Sequence, residues 1–169
     1  MCASKAAEAA TESPSIAPLI DLLSSEMARV NTTILDRMDS KVPLVPQLAG
    51  HLIASGGKRM RPMMTIAGAV LGSGDEAVRA PAVKLATAVE FIHSATLLHD
   101  DVIDESKLRR GQNTANALWG NDASVLVGDF LFARAFELMV EAGDMAVLGR
   151  LAAAAARITE GEILQMTIT

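Results

Sequence analysis

EAVRAPAVKLATAVEFIHSATLLHDDVID, residues 76–104, is the longest stretch of this chain with one periodic reading. Val83, Leu85, Ala86, Val89, Ile92, Thr96, Leu97 and Ile103 supply its apolar or small positions. Their spacing predicts a single helix over 76–104. The second half is apolar almost all round, so this helix is expected to be central and buried. The flanking segments read the same way. From Pro14 to Ser40, the positions Ile16, Leu19, Ile20, Leu23, Met27, Val30, Ile34 and Met38 step by three and four, which is one amphipathic helix. Pro43 and Pro46 break it, and a short helix follows over about 46–55, ended by Ser55-Gly56-Gly57. Pro62 is placed at the first position of the next helix, which stops at Gly72-Ser73-Gly74. Residues 105–114 are polar, contain Gly111 and read as a loop. Asn121 or Asp122 is expected to cap a helix ending near Ala142, and a last helix starts near Asp144.

Composition agrees with an all-α chain. Half of the 169 residues are hydrophobic, yet only 3% are aromatic, and the count includes 29 Ala and 9 Met. Ala, Leu and Met favour helices, and the aromatic residues that favour strands are scarce, which excludes an all-β sandwich or barrel. Residues 1–13 have no apolar period and are expected to be a loose tail, with 14–169 forming one helical unit. Lys plus Arg is 15 and Asp plus Glu is 20, so the formal net charge is −5. That balance argues against nucleic acid as a partner held by global charge. Cys2 is the only cysteine, so no intrachain disulfide forms, which suits a reducing cytoplasm. The N-terminus has no apolar signal core, and no run of 18 apolar residues predicts a transmembrane segment. The last residues, GEILQMTIT, stop in mid-pattern, with Ile163, Leu164 and Met166 needing something to pack on. They read as the end of a truncated chain.

Three constellations can carry chemistry. The first is Asp100-Asp101-Val102-Ile103-Asp104. On a helix Asp100 and Asp104 lie about 40° apart, and Asp101 about 100° from Asp100. Like charges at i and i+4 repel, and the negative end of the helix dipole adds to the repulsion. A cation relieves both, and oxygen ligands without cysteine suit Mg²⁺, which takes one or two carboxylates plus phosphate oxygens. A solvated acidic helix end is the other reading. The second is Gly56-Gly57-Lys58-Arg59-Met60-Arg61-Pro62. Three cations just before a helix N-terminus make a natural phosphate or diphosphate site, or else an ordinary basic loop. The third is Lys107-Leu108-Arg109-Arg110-Gly111, either paired surface charge or a second anion clamp. Two basic loops and one carboxylate cluster suit two phosphorylated substrates. His93 lies seven residues before Asp100 on nearly the same face, while His99 reads as a core or capping residue and His51 as a helix-surface residue. Asp129 in an apolar helix needs a partner and is a candidate supporting residue. Glu162 and Gln165 share a helical face and either reach a site or form an exposed polar stripe.

Together these segments resemble the trans-isoprenyl diphosphate synthases, the polyprenyl synthetase family. The resemblance rests on GGKRMRP, EFIHSATLLHDDVIDESKLRRG, LVGDFLFARAF and EGEILQM, in that order, and covers roughly residues 44–169. It implies an all-α bundle of long helices around a deep apolar cavity, here its N-terminal part. It implies that Asp100 and Asp104 bind Mg²⁺ with Asp101 assisting, and that Arg109 contacts an allylic diphosphate. Lys58, Arg61, His93 and Arg110 would hold isopentenyl diphosphate, and Gln165 would line the reaction centre. The implied reaction is head-to-tail prenyl transfer. Diphosphate departs, the double bond of isopentenyl diphosphate attacks the allylic cation, and a proton is lost to the released diphosphate. The protein then needs metal, cations and a dry cavity rather than a covalent nucleophile. The family's usual state is a homodimer.

Ala95 and Thr96 precede the aspartates where short-chain members carry Phe or Tyr, so the resemblance implies an open cavity and a long product, of quinone side-chain length. Thr96 shares the face of Asp100, while the role of Ala95 rests on resemblance alone. The family's second aspartate-rich motif is missing, since Asp122, Asp129 and Asp144 stand singly. The 169-residue chain by itself is therefore expected to be inactive. Competing readings are an HD-type metal phosphohydrolase using His51, His99, Asp100 and Asp129, a terpene cyclase, and a non-catalytic helical partner subunit or truncated fragment. The hydrolase reading leaves GGKRMRP unused, and the cyclase reading does not require that loop.

Overall fold

The computed structural model describes residues 15–54, 59–73 and 75–168. The expected tail at 1–13, the helix stop at Ser55-Gly56-Gly57 and the site residue Lys58 lie outside the described residues. The elements are α1 (Ala17–Leu22), α2 (Ser24–Met38), α3 (Leu44–Ala54), α4 (Met60–Ser73), α5 (Glu76–Ile103), β1 (Leu108–Arg109), β2 (Gln112–Asn113), α6 (Ala115–Trp119), α7 (Asn121–Ala142) and α8 (Met145–Ile168). No described helix is long and apolar enough to cross a membrane.

The 28-residue α5 is the axis of the fold. Asp75 caps it, its side chain accepting from the Ala77 amide at 3.0 Å. Pro81 removes one backbone donor, yet the helix runs on to Ile103. Val83, Ala86, Phe91, Ala95 and Leu98 are buried on it, and α7, α4 and α2 pack around it, α7 most extensively. On α7 the buried positions Ser124, Val127, Gly128, Leu131, Ala135, Leu138 and Met139 follow the helical period. The buried Glu26, Val30, Ile34 and Met38 form the α2 stripe, each one turn from the last.

Charged side chains join these helices. The buried Glu26 of α2 pairs with Arg79 of α5. Burial pushes its carboxyl up, but the backbone bond and Arg79 outweigh that and hold it below the usual glutamate range. Arg37 of α2 reaches Glu141 of α7 at 2.7 Å, and Lys84 of α5 reaches the same carboxylate at 3.3 Å.

The structure corrects several local expectations. The helix expected over Pro14–Ser40 is divided at Leu23, which is buried at the junction of α1 and α2. Pro62 is the third residue of α4, not the first; the Met63 amide already bonds the Arg59 carbonyl, so the absent proline N–H had no helical acceptor. Neither Asn121 nor Asp122 caps α7. Gly120, at φ 89°, stands at that position, a conformation glycine adopts without strain. The loop over 105–114 contains a two-stranded hairpin with Leu108 opposite Asn113 and Arg109 opposite Gln112. Its two turn residues, Arg110 and Gly111, have φ of 51° and 80°, the signature of a type I′ turn.

α5 and α7 approach each other closely at His99 and Gly128. A Cβ on Gly128 would lie 2.2 Å from His99 Nε2, so only glycine allows this approach. His99 Nε2 donates to the Val125 carbonyl at 3.2 Å, and Ser124 Oγ donates to the Leu98 carbonyl at 3.0 Å. Gly128→Ala is expected to destabilise the chain by about 1–3 kcal/mol in urea unfolding. The double variant Gly128→Ala with His99→Ala should cost less than the sum of the two, because the clash is shared. Strict additivity would refute the contact.

Candidate functional site

The C-terminal third of α5 presents two chemically different faces. On one, a cavity of about 90 Å³ is lined by His93, Ser94, Leu97 and Asp101 of α5, with Arg109, Arg110 and Asn113 from the hairpin. Arg59, next to α4, and Glu90 complete its polar lining, while Ile34, Met38, Phe91 and Leu131 form its apolar part. His51 also lines it, half-buried with its ring edge-to-face against Trp119 at 5.3 Å, and so is not the surface residue expected.

Asp101 organises this face. It is 4% exposed, and its carboxylate takes Arg109 in a fork: Nη2 to Oδ1 at 2.8 Å, and Nε to Oδ1 and Oδ2 at 3.1 and 3.3 Å. Its carbonyl accepts from the Ser106 amide and from Asn116 Nδ2 at 2.9 and 3.0 Å. The hairpin is thereby tied to the helix end, with Arg109 held inward and Arg110 at the turn. A second pair, Arg59 Nη1 to Glu90 Oε1 at 2.8 Å, lies on the same cavity. The cavity is thus bordered by three arginines against two carboxylates. The pKa of His93 is pushed below the ordinary value of 6.5, by burial first and then by Arg61; Arg109 and Arg110 add to the shift and Glu90 opposes it. The imidazole is neutral at pH 7 and faces positive charge, which is the field an anion would enter.

On the adjacent face stand Asp100, half-buried, and Asp104, exposed at the C-cap of α5. Asp100 is not among the residues lining the cavity. Burial raises its pKa, followed by the negative charges of Glu162 on α8 and Asp104; Arg109 opposes and Asp101 adds. Carboxylates crowded with too little positive charge, in an oxygen-only donor set, fit a divalent cation. Among the described residues no group of three or more His, Cys, Asp or Glu side chains forms a ready-made cation cage.

The remaining expected residues are dispersed. Arg61 sits exposed in the first turn of α4, its charge reaching His93. Thr96 is half-buried, with its hydroxyl donating to the His93 carbonyl at 2.8 Å, while Ala95 is wholly buried in the core. Gln165 is exposed on α8. His99 turns toward α7, with Asp129 Oδ1 3.6 Å from its Nε2, and the exposed Asp129 supports no buried group. The hydrolase set is therefore not gathered around one point. Glu90 was missed as a site residue by the sequence reading, and Arg59 was read only as one of the three cations of the basic loop, without a role of its own. The signal for Glu90 was a lone carboxylate in an apolar helix, three residues before His93.

In an NMR titration His93 should titrate below 6.5, and Arg61→Ala should raise its pKa by removing a positive neighbour. Because the folded value is depressed, the neutral imidazole contributes stability above the unfolded pKa. That contribution is lost as pH falls through the folded pKa. A pKa at or above 6.5 in the wild-type chain would contradict this account of the cavity's field.

Comparison with known proteins adds the family. The family model described as polyprenyl synthetase matches residues 42–169. The octaprenyl diphosphate synthase of Escherichia coli (strain K12) is 48% identical over 148 residues, which are 86% of this chain and 44% of that protein. The polyprenyl synthase of Caulobacter crescentus CB15, solved with calcium and isoprenyl diphosphate, superposes with a TM-score of 0.84 at 56% identity, covering 92% of this chain and 46% of that one. A decaprenyl diphosphate synthase from Rhodobacter capsulatus superposes with a TM-score of 0.82 at 54% identity, covering 89% and 46%. The chain spans less than half the length of these relatives.

Proposed function

Because the chain belongs to the polyprenyl synthetase family, we propose that the protein transfers an allylic prenyl group to isopentenyl diphosphate, building a long all-trans polyprenyl diphosphate. The observation that carries this is the division of α5: an arginine-rich cavity with a neutral histidine on one face, and under-compensated carboxylates on the next. Isopentenyl diphosphate takes the cavity, held by Arg61, His93 and Arg110, with Lys58 assigned by resemblance. The allylic diphosphate takes the adjoining face, with Arg109 between the two.

Asp100 and Asp104 would hold Mg²⁺ and Asp101 would assist, the metal when bound neutralising charge on the departing diphosphate. The arginines stabilise the same charge from the protein side. His93 binds by donating an imidazole N–H to a diphosphate oxygen. The apolar part of the cavity, with Phe91 and Leu131, shields the isopentenyl chain from water. Gln165 borders the reaction centre from α8. Long products are supported by the names of the relatives and by the small residues Ala95 and Thr96. A homodimer is part of this reading. None of the residues of α8 is buried, and its exposed Ile163, Leu164 and Met166 favour association. A monomer in light scattering would exclude it. The same exposure favours, as a second reading, a non-catalytic partner subunit. A cytoplasmic location completes the proposal, supported by the single cysteine.

Thermal unfolding of the chain tests the binding sites, since ligands that bind only the folded state raise its midpoint. Isopentenyl diphosphate should raise it, and Arg110→Ala should abolish that rise. Mg²⁺ with an allylic diphosphate analogue should raise it separately, and Asp100→Ala should abolish that second rise only. No rise with either ligand would overturn the proposal. Turnover of labelled isopentenyl diphosphate by the 169-residue chain would refute its expected inactivity and, with it, the partner-subunit reading.

Thr96→Phe tests product length without over-packing the core, as a large residue at the fully buried Ala95 would. It should leave stabilisation by a short allylic diphosphate intact and remove stabilisation by a long one. Equal responses to both lengths would place the floor elsewhere.

A further inference from the structure

The cavity contains an apparent contradiction. A site arranged for an anion carries a carboxylate, Glu90, that is only 9% exposed. A buried charge is expensive unless paired, and an apolar residue of similar size would repel no ligand. Glu90 lies on α5, and its Oε1 is 2.8 Å from Nη1 of Arg59. Arg59 has φ of 47°, one of three non-glycine residues with positive φ among those described. That conformation is rare for a residue with a side chain and persists only where the surroundings enforce it. The Arg59 carbonyl also accepts the first amide bond of α4, from Met63. Its backbone is therefore fixed by the helix and its guanidinium by Glu90. Arg110, another of the three, lines the same cavity. Two strained arginines thus meet around His93 from separate segments of the chain.

We infer that Arg59 is a direct diphosphate contact and that Glu90 is its positioning residue, holding the guanidinium at the cavity wall before the ligand arrives. This rests on the reading of the cavity as the isopentenyl diphosphate site. A preset guanidinium loses less rotamer freedom on binding, and its planar fork presents further N–H donors beyond the one given to Glu90. The depressed pKa of His93 agrees with this arrangement, since, after burial, it records the positive field of the arginines around the ring.

The sign of one change decides the matter. If Glu90 only subtracted charge from the site, Glu90→Ala would tighten diphosphate binding. If it positions Arg59, Glu90→Ala weakens binding despite the more positive cavity. Isothermal titration of the chain with isopentenyl diphosphate, and separately with inorganic diphosphate, gives the dissociation constants. Arg59→Ala should weaken binding about tenfold, as the loss of one charge-assisted contact does. Glu90→Ala should weaken it about fivefold. The double variant should be no weaker than Arg59→Ala, because the two side chains act as one unit. Glu90→Gln retains an acceptor for the guanidinium and should stay within about threefold of wild type, which also guards against misfolding in the alanine variant. Circular dichroism confirms that each variant is folded. Tighter or unchanged binding in Glu90→Ala, or an additive double variant, overturns the inference while leaving the cavity a diphosphate site. No binding by the wild-type chain overturns the site assignment itself.

Discussion

An α-helix turns by 100° per residue, and at Asp100 and Asp101 that rotation separates two electrostatic environments. Asp101 is turned inward onto Arg109 and is nearly sealed from water, while Asp100 is turned toward Asp104 and the Glu162 charge. Had both aspartates faced the hairpin, Arg109 would have neutralised part of each and left little field for a cation. Had both faced α8, the hairpin would have lost its tie to α5. The arrangement works because the helix is rigid at this point. Ser124 and His99 bond across to and from α7, and Gly128 lets the two helices close on each other. The position of each charge is therefore set by packing several residues away.

The same logic extends down α5. Its carboxylates at 90 and 101 each hold an arginine from a different segment, and His93 lies between them. At the other end, Arg79 and Lys84 tie α5 to Glu26 of α2 and Glu141 of α7. Only the first of these two ties is deeply buried. The second is partly exposed and acts as one of several weak constraints.

The central helix was legible in the sequence because its pattern runs long enough to average out exceptions. The expected 76–104 became Glu76–Ile103, and the continuity through Pro81 agrees with that reading. The end of α7 at Ala142 was legible for the same reason, with Gly143 at φ 79° beyond it. The break at Leu23 was not, since an apolar residue at a helix junction fits the helical period as well as one inside a helix. Nor was the hairpin, since two-residue strands are too short to alternate and Arg-Gly is an uncommon type I′ pair. In the site, spacing brought Asp100 and Asp104 to one side, and the family resemblance singled out Arg109 and Arg110. Spacing alone also drew His93 toward Asp100, whereas the cavity unites His93 with Asp101. Which neighbour a helix face meets is a property of tertiary packing, and the period carries no record of it.

The unburied α8 has a consequence for the time scale on which the site exists. Glu162 and Gln165 belong to a 24-residue helix with no fully buried residue, which meets the core only near its start, through the partly buried Leu148 and Leu151. Regions with few buried contacts open locally, at free energies well below that of global unfolding. Amide protons on α8 should therefore exchange with solvent long before those of α5, whose inner face is sealed by three other helices. The anion cavity is lined by α5 and the hairpin alike, whereas the charge that Glu162 lends to Asp100 comes from a helix held at one end only.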